Sequence, residues 1–191
     1  MKKQDIISFF DKYAPFWDEG QVRNEEVIEK ILNNSGIEKG DSVLDVACGT
    51  GVLFPDYIKR DAAVTAVDIS PEMVKIAKSK FSDINIICGD VEEIDFAEKF
   101  DSVMIYNAFP HFPDPERVIK RLSECLREGG RLSVAHGMSR EALLKHHSGA
   151  AKEVSCELPT AEALAKILEP YFKVDVIISD NEMYQVSGIK K

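Results

Sequence analysis

The sequence contains no C-x-x-C pair, and its four cysteines, Cys48, Cys88, Cys125 and Cys156, are widely spaced. That excludes a zinc knuckle or a disulfide scaffold and points to a reducing compartment. Nowhere do about 18 apolar residues follow one another, so no membrane span is expected. The basic start MKKQD leads into no sustained apolar run either. It does not read as a signal peptide, and a cytoplasmic location is the expectation. No Lys/Arg cluster offsets the net charge of -9. An acidic surplus of that size repels phosphate backbones, which excludes nucleic acid as a general partner. The one glycine-rich turn is not followed by G-K-[ST], so there is no Walker A loop. Phe54 and Pro55 stand where a third glycine would complete G-x-G-x-x-G. Internal repeats and low-complexity segments are also missing.

What is present is a regular alternation. SVLDVA (42–47), AVTAVDI (63–69), NIIC (85–88), DSVMIYN (101–107), RLSVAH (131–136), VDVIIS (174–179) and MYQVSGIK (183–190) are short, apolar and rich in β-branched residues. Between them lie helical patterns with start and stop signals. Val22, Val27, Ile28, Ile31 and Leu32 repeat at helical spacing before Gly36. Ser70-Pro71 opens MVKIAKSKF, Pro115 opens a helix closed by Gly129-Gly130, Ser139 caps residues 140–147, and Thr160 caps AEALAKILEPYF. Strands alternating with helices imply βαβ units. The predicted fold is a single α/β, Rossmann-like, doubly wound domain with a mostly parallel seven-stranded sheet and helices on both faces. The short Asp180-Asn181 turn predicts a C-terminal hairpin, so the last strand runs antiparallel to its neighbour.

The chemistry gathers at the strand ends. In VLDVACGTG, Asp45 lies in the first strand, and Gly49 and Gly51 turn the chain into a helix. Glycines allow close approach of the backbone to a ligand and leave N–H groups open, although a merely tight βα turn has the same look. Asp68 ends the second strand, where a carboxylate accepts hydrogen bonds from ribose hydroxyls. Asp90 with apolar Val91 ends the third and suits an adenine edge. Three acids on consecutive strand ends argue for a nucleoside-containing cofactor. Asp45 beside the turn disfavours a pyrophosphate and favours a cationic group such as an amine or sulfonium.

DVACGTG, VDIS, GDVEEI, MIYNAF and LREGGRLSV together resemble the successive motifs of the class I S-adenosylmethionine-dependent methyltransferases. FFDKYAPFWDE and NAFPHF are similar to the small-molecule group that includes the ubiquinone and menaquinone biosynthesis C-methyltransferases. The resemblance implies methyl transfer from S-adenosyl-L-methionine to a small-molecule acceptor, by a monomer or homodimer. It also implies that Asp45, Gly49 and Gly51 hold the methionine end, Asp68 the ribose, and Ile69 one adenine face. Asp90 and Val91 would make the other adenine contacts, and Asn107 would line the pocket below the sulfonium. Residues 1–35 would form a helical cap over the active site, and residues 36–191 the catalytic domain. A nicotinamide- or nucleotide-dependent oxidoreductase would share the turn and Asp68 but has no need of the terminal hairpin; a non-catalytic cofactor-binding module is a further alternative.

The four histidines leave three readings open. In the first, His111 is a turn residue packed among Phe109, Phe112 and Pro113, and His146 and His147 sit at a helix C-terminus for dipole reasons. In the second, His111 or His136, at the ends of neighbouring strands, takes a proton from the acceptor or orients it. In the third, His111, His136 and His147 of the helical pair bind a divalent metal that holds a chelating substrate. Tyr13, Phe16 and Trp17 in the aromatic N-terminal stretch are placed to close the pocket, with Tyr13 the candidate for a functional hydroxyl.

Overall fold

The computed structural model describes residues 2–20, 23–146 and 150–191. Among these residues the strands are β1 (Ser42–Val46), β2 (Ala63–Asp68), β3 (Asn85–Cys88), β4 (Phe100–Tyr106), β5 (Leu126–His136), β6 (Phe172–Ser179) and β7 (Tyr184–Lys190). The helices are α1 (Lys3–Tyr13), α2 (Glu25–Asn34), α3 (Phe54–Lys59), α4 (Pro71–Lys80), α5 (Pro115–Cys125), α6 (Arg140–His146) and α7 (Ala161–Leu168). The sheet order is β3-β2-β1-β4-β5-β7-β6. All neighbours are parallel except β7, which runs antiparallel to both β5 and β6. The expected seven strands and terminal hairpin are therefore present.

The order reverses at β1, with β2 and β3 on one side and β4 and β5 on the other. A crevice opens outside the carboxyl ends at such a reversal, because the flanking crossovers depart to opposite faces. Both faces of the sheet are buried. Leu44, Val46, Val103 and Ile105 point into a core closed by Val118, Ile119 and Leu122 of α5 and Leu164 and Leu168 of α7. Val43, Ala66 and Met104 point to the other side, under Val27, Ile28, Ile31 and Leu32 of α2 and Phe54 and Tyr57 of α3. This two-sided burial is why the central strands read as continuous apolar runs.

Local signals account for the helix ends. Asn24, Ser70, Asp114 and Thr160 each accept a hydrogen bond from the third backbone N–H of the helix they open. The aromatic N-terminal stretch is not one helix. It passes from α1 into a 3-10 segment, Ala14–Gly20, because Pro15 has no amide to continue the ladder. The fifth strand starts at Leu126, not Arg131: Leu126 pairs with Phe100, and the register then shifts before Ser102 meets Arg131. Gly129, at φ 76°, absorbs that irregularity. The helix whose apolar repeat opens at Val22 in the sequence begins at Glu25, and Val22 lies outside the described residues. No helix among the described residues is long and apolar enough to cross a membrane.

Candidate active site

At the switch point lies a cleft with about 1010 Å³ of empty space, part of it open to solvent. Its floor comes from four strand ends: Val46–Gly49 after β1, Val67–Ile69 after β2, Gly89–Glu92 after β3 and Tyr106–Ala108 after β4. Lys3, Ile6 and Phe10 of α1, with Trp17 of the 3-10 segment, form the outer wall. His111, Phe112 and Pro113 close one side.

The glycine turn is built under backbone constraint. Ala47, Gly49 and Gly51 have φ of 56°, 56° and 89°. For Ala47 this left-handed conformation costs about 1–2 kcal/mol. Glycine is required at Gly51, where an added Cβ would stand 2.5 Å from the Phe54 ring. At the end of β4, Asn107 repeats the departure at φ 55°; asparagine tolerates that region better than most residues. Its side-chain oxygen accepts from Gly137 N at 2.9 Å, and its own N–H donates to Ala135 O at 2.9 Å, which ties β4 to β5 at the rim.

Two acids define the electrostatics. Asp68 is buried, and its two oxygens accept from Gly49 N and Ser70 N, each at 2.8 Å. Burial raises its pKa to about 6, against the lowering effect of those N–H groups. Asp45 points into the α2–α3 face, opposite Ala66 and Met104 in the strand register. Burial, and then the charge of Asp68, push it up to about 8. Among the described residues no hydrogen bond reaches its carboxyl group. The buried Tyr57 hydroxyl nearby also lacks a partner. Burial raises the Cys48 thiol well above its ordinary value, so it sits here as a neutral small residue and not as a nucleophile.

The structure brings Gly49, Asp68, Ile69, Asp90, Val91, Asn107 and His111 onto one cavity. Asp45 and Gly51 are not among the residues that line it. Tyr13 stands off it: Lys3, Ile6, Phe10 and Trp17 form the inward stripe, and Tyr13 falls at its edge, packed on Phe9 at 4.6 Å between ring centroids. His136 is completely buried, directly paired with Tyr184 of β7 and edge-on to its ring at 5.9 Å. Strand alternation carries it inward and not to the rim. His111 is oriented by its surroundings. Its Nδ1 donates to Val154 O at 2.8 Å, with Ser155 Oγ at 3.3 Å, and Phe10 packs edge-on against the ring at 4.8 Å. Among the described residues no group of three His, Cys, Asp or Glu side chains is placed to hold a metal. The side chain of His146 and all of His147 lie outside the described residues. Sequence reasoning missed Lys3, Phe10, Glu92, Val52, Met73 and Tyr106 as cavity residues.

Residues 44–134 match a family model described as a methyltransferase domain. Over 140 residues the chain is 31% identical to a ubiquinone biosynthesis O-methyltransferase of Coxiella burnetii, covering 68% of this chain and 60% of that protein. Over 142 residues it is 30% identical to a demethylmenaquinone methyltransferase of Renibacterium salmoninarum, covering 70% and 59%. The chain belongs to the class I S-adenosylmethionine-dependent methyltransferases. It spans about 60% of the length of the curated relatives it matches. The fold agrees. A SAM-dependent methyltransferase from Aquifex aeolicus superposes with a TM-score of 0.71 at 21% identity, over 86% of this chain and 89% of that one. The N-methyltransferase NodS of Bradyrhizobium japonicum, in complex with S-adenosyl-L-homocysteine, gives 0.75 at 13%, over 96% and 97%.

The donor set fits the methyl donor of this family. Asp45 is a buried acid with no hydrogen-bond partner, which an ammonium group would satisfy. Asp68 is held by two backbone N–H groups and retains lone pairs for two hydroxyls. The largely apolar wall of Val67, Ile69, Met73 and Val91 suits a purine face.

Proposed function

We propose that this protein transfers a methyl group from S-adenosylmethionine to a small-molecule acceptor. The observation that carries the reading is the pair of buried acids under the left-handed glycine turn, one of them, Asp45, with no hydrogen bond to the protein among the described residues. The bound cofactor supplies an electrophilic methyl carbon on a sulfonium. Asp45, Gly49 and Gly51 serve its methionine end, Asp68 the ribose, Ile69 and Val91 the adenine faces, and Asp90 the adenine edge. Asn107, fixed by its bonds to β5, lines the pocket below the sulfonium. Residues 1–35 act as the cap: α1 and the 3-10 segment exclude water, and α2 anchors them to the core. A dry, pre-shaped cavity holds the acceptor in line behind the methyl carbon, and that positioning is the main catalytic contribution.

His111 is the proposed base. A proton on Nδ1, held by Val154 O, leaves Nε2 as the basic nitrogen of the neutral ring. That nitrogen would take the proton that the acceptor's oxygen or nitrogen gives up when the bound donor methylates it. His136 and Tyr13 would assist only indirectly, His136 through the packing of β5 on β7. The aromatic wall of Phe10, Trp17 and Phe112 favours a flat, uncharged or cationic acceptor over a nucleic acid. Four free cysteines, two of them exposed, support a reducing, cytoplasmic setting, and the protein acts as a monomer or homodimer.

Calorimetric titration with S-adenosylmethionine and S-adenosylhomocysteine tests the reading, with NAD as the comparison. Binding of the first two and not of NAD is expected; no binding of either would overturn it. With an accepted substrate, His111→Ala lowers kcat about 10²–10⁴-fold and leaves S-adenosylhomocysteine affinity within twofold. An unchanged kcat would remove His111 from the chemistry.

A further inference from the structure

The N-terminal segment does more than cover the cleft. It bonds to each of the three turns that carry the proposed cofactor contacts. Lys3 Nζ pairs with Asp90 Oδ2 and, at 2.6 Å, with Glu92 Oε2 at the end of β3. Asp11 Oδ1 accepts from Ser70 Oγ at 2.6 Å and from Glu72 N at 3.2 Å, next to Asp68 and Ile69 at the end of β2. Asp18 accepts from Thr50 Oγ1 in the glycine turn at 2.6 Å and pairs with Lys80 Nζ at 2.8 Å. Trp17 reaches over the same turn, its Nε1 standing 3.9 Å from where a Cβ of Gly49 would be. A helix docked only for coverage needs no such one-to-one correspondence with the ligand turns.

The contact at Asp90 is the one with a chemical consequence. The Asp90 side chain is 14% exposed and that of Glu92 is 9%. They share Lys3, and Glu92 has Arg117 as a second partner at 3.0 Å. Asp90 Oδ1 accepts from Glu92 N at 3.0 Å, while Oδ2 faces Lys3. Each oxygen therefore has one fixed donor and one lone pair remaining, and the carboxylate plane is set from both ends. Without Lys3, two half-buried carboxylates would face each other across a single turn and repel. Burial works against the charge on Lys3, but bonds to and charges of Asp90 and Glu92 outweigh it and hold the ammonium above its ordinary pKa.

We infer that Lys3 is a positioning residue of the cofactor site, aiming Asp90 at the adenine end and thereby coupling docking of the N-terminal helix to cofactor binding. This rests on the methyl-donor reading above. The coupling is reciprocal: a ligand that fixes the Asp90 turn favours the docked helix, and the docked helix raises affinity for the ligand by the same factor. Lys3 lies on the helix that walls the cavity, and the same segment carries Phe10 and Trp17, so docking of that helix shapes the cofactor and acceptor sides together.

The test uses the full chain and S-adenosylhomocysteine as probe. Lys3→Met should weaken its affinity about five- to tenfold, raise KM for the methyl donor, and leave kcat little changed. Lys3→Arg, which keeps a charge able to span both carboxylates, should restore most of the affinity, and Lys2→Met, an exposed neighbour, should have no effect. In the wild type the probe should slow amide exchange across residues 3–13, and in Lys3→Met that protection should be lost. Equal affinity in wild type and Lys3→Met overturns the inference. Tighter binding by Lys3→Met overturns it too, because Lys3 would then compete with the ligand for Asp90. If the wild type itself does not bind the probe, the methyl-donor reading fails, which is a separate outcome.

Discussion

Two groups of buried polar residues lie on the same sheet and differ in one respect. On β5 and β7, the Gln185 amide donates to Ile31 O, Ser35 Oγ and Ser187 Oγ at 3.1–3.2 Å and accepts from Asn34 at 3.1 Å. Ser187 passes the chain on to Ser133 at 2.8 Å. Under the glycine turn, Asp45 is equally buried but has no such bond, and Asp68 is bonded only to backbone N–H groups of the turns it serves. Burial of polar atoms is therefore no sign of a site. A satisfied network fixes how α2 sits on the sheet; an acid without a protein partner beside left-handed backbone keeps its lone pairs for a ligand.

The largest expected break in this comparison is Asp68→Ala. It removes a carboxylate placed for charge-assisted bonds to two hydroxyls, so S-adenosylhomocysteine affinity should fall on the order of a hundredfold by calorimetry. An affinity within threefold of wild type would show that Asp68 is not the ribose contact. On the satisfied side, Gln185→Leu removes the amide bonds to Ile31 O, Ser35 Oγ and Ser187 Oγ and leaves the Asn34 amide without its acceptor. That should cost about 1–3 kcal/mol and lower the melting temperature by about 2–4 °C for each kcal/mol in a chain of this length. Affinity for the same ligand should stay within twofold. Reduced affinity with normal stability would mean that the network belongs to the site after all.

The sequence made the ligand-facing turns legible because they depend on short-range rules. Apolar β-branched runs mark the strands, and Gly49 and Gly51 mark a left-handed turn that at Gly51 leaves no room for a Cβ. Asp68 and Asp90 fall where those runs stop. What stayed hidden depends on distance along the chain or on side-chain direction. The Lys3–Asp90 pair joins residues 87 positions apart, and no periodicity carries that information. His136 ends its strand as expected, yet strand alternation and the facing Tyr184 turn it into the core. Tyr13 misses the cavity by a fraction of a helical turn while Phe10 reaches it. The early start of β5 at Leu126 was masked by Gly129-Gly130, which reads as a helix stop but is taken up within an irregular strand pair.

The smallest effect, and the one that sharpens the comparison most, is in pH dependence. Asp45 has a folded pKa of about 8 and Asp68 one of about 6, both above the ordinary value of 3.8. The folded chain therefore binds these protons more tightly than the unfolded chain does. Their contribution to stability is fully present below about pH 4 and is lost as pH rises, through about 6 for Asp68 and about 8 for Asp45. The melting temperature of the ligand-free protein should thus fall between about pH 4 and pH 8, and Asp45→Asn, neutral at every pH, should flatten the fall above pH 6 while leaving the Asp68 part below it. Ligand affinity should run the other way. A cationic amino group needs Asp45 ionised, so wild-type affinity for S-adenosylhomocysteine should rise by up to about tenfold per pH unit between pH 6.5 and 8. Asp45→Asn should lose that slope and bind about tenfold more weakly at pH 8. A satisfied buried group shows neither trend, so Gln185→Leu should lower stability by the same amount at both ends of the range. If Asp45→Asn left both profiles unchanged, the carboxyl group would be a neutral packing residue, and the contrast between the two buried regions would vanish.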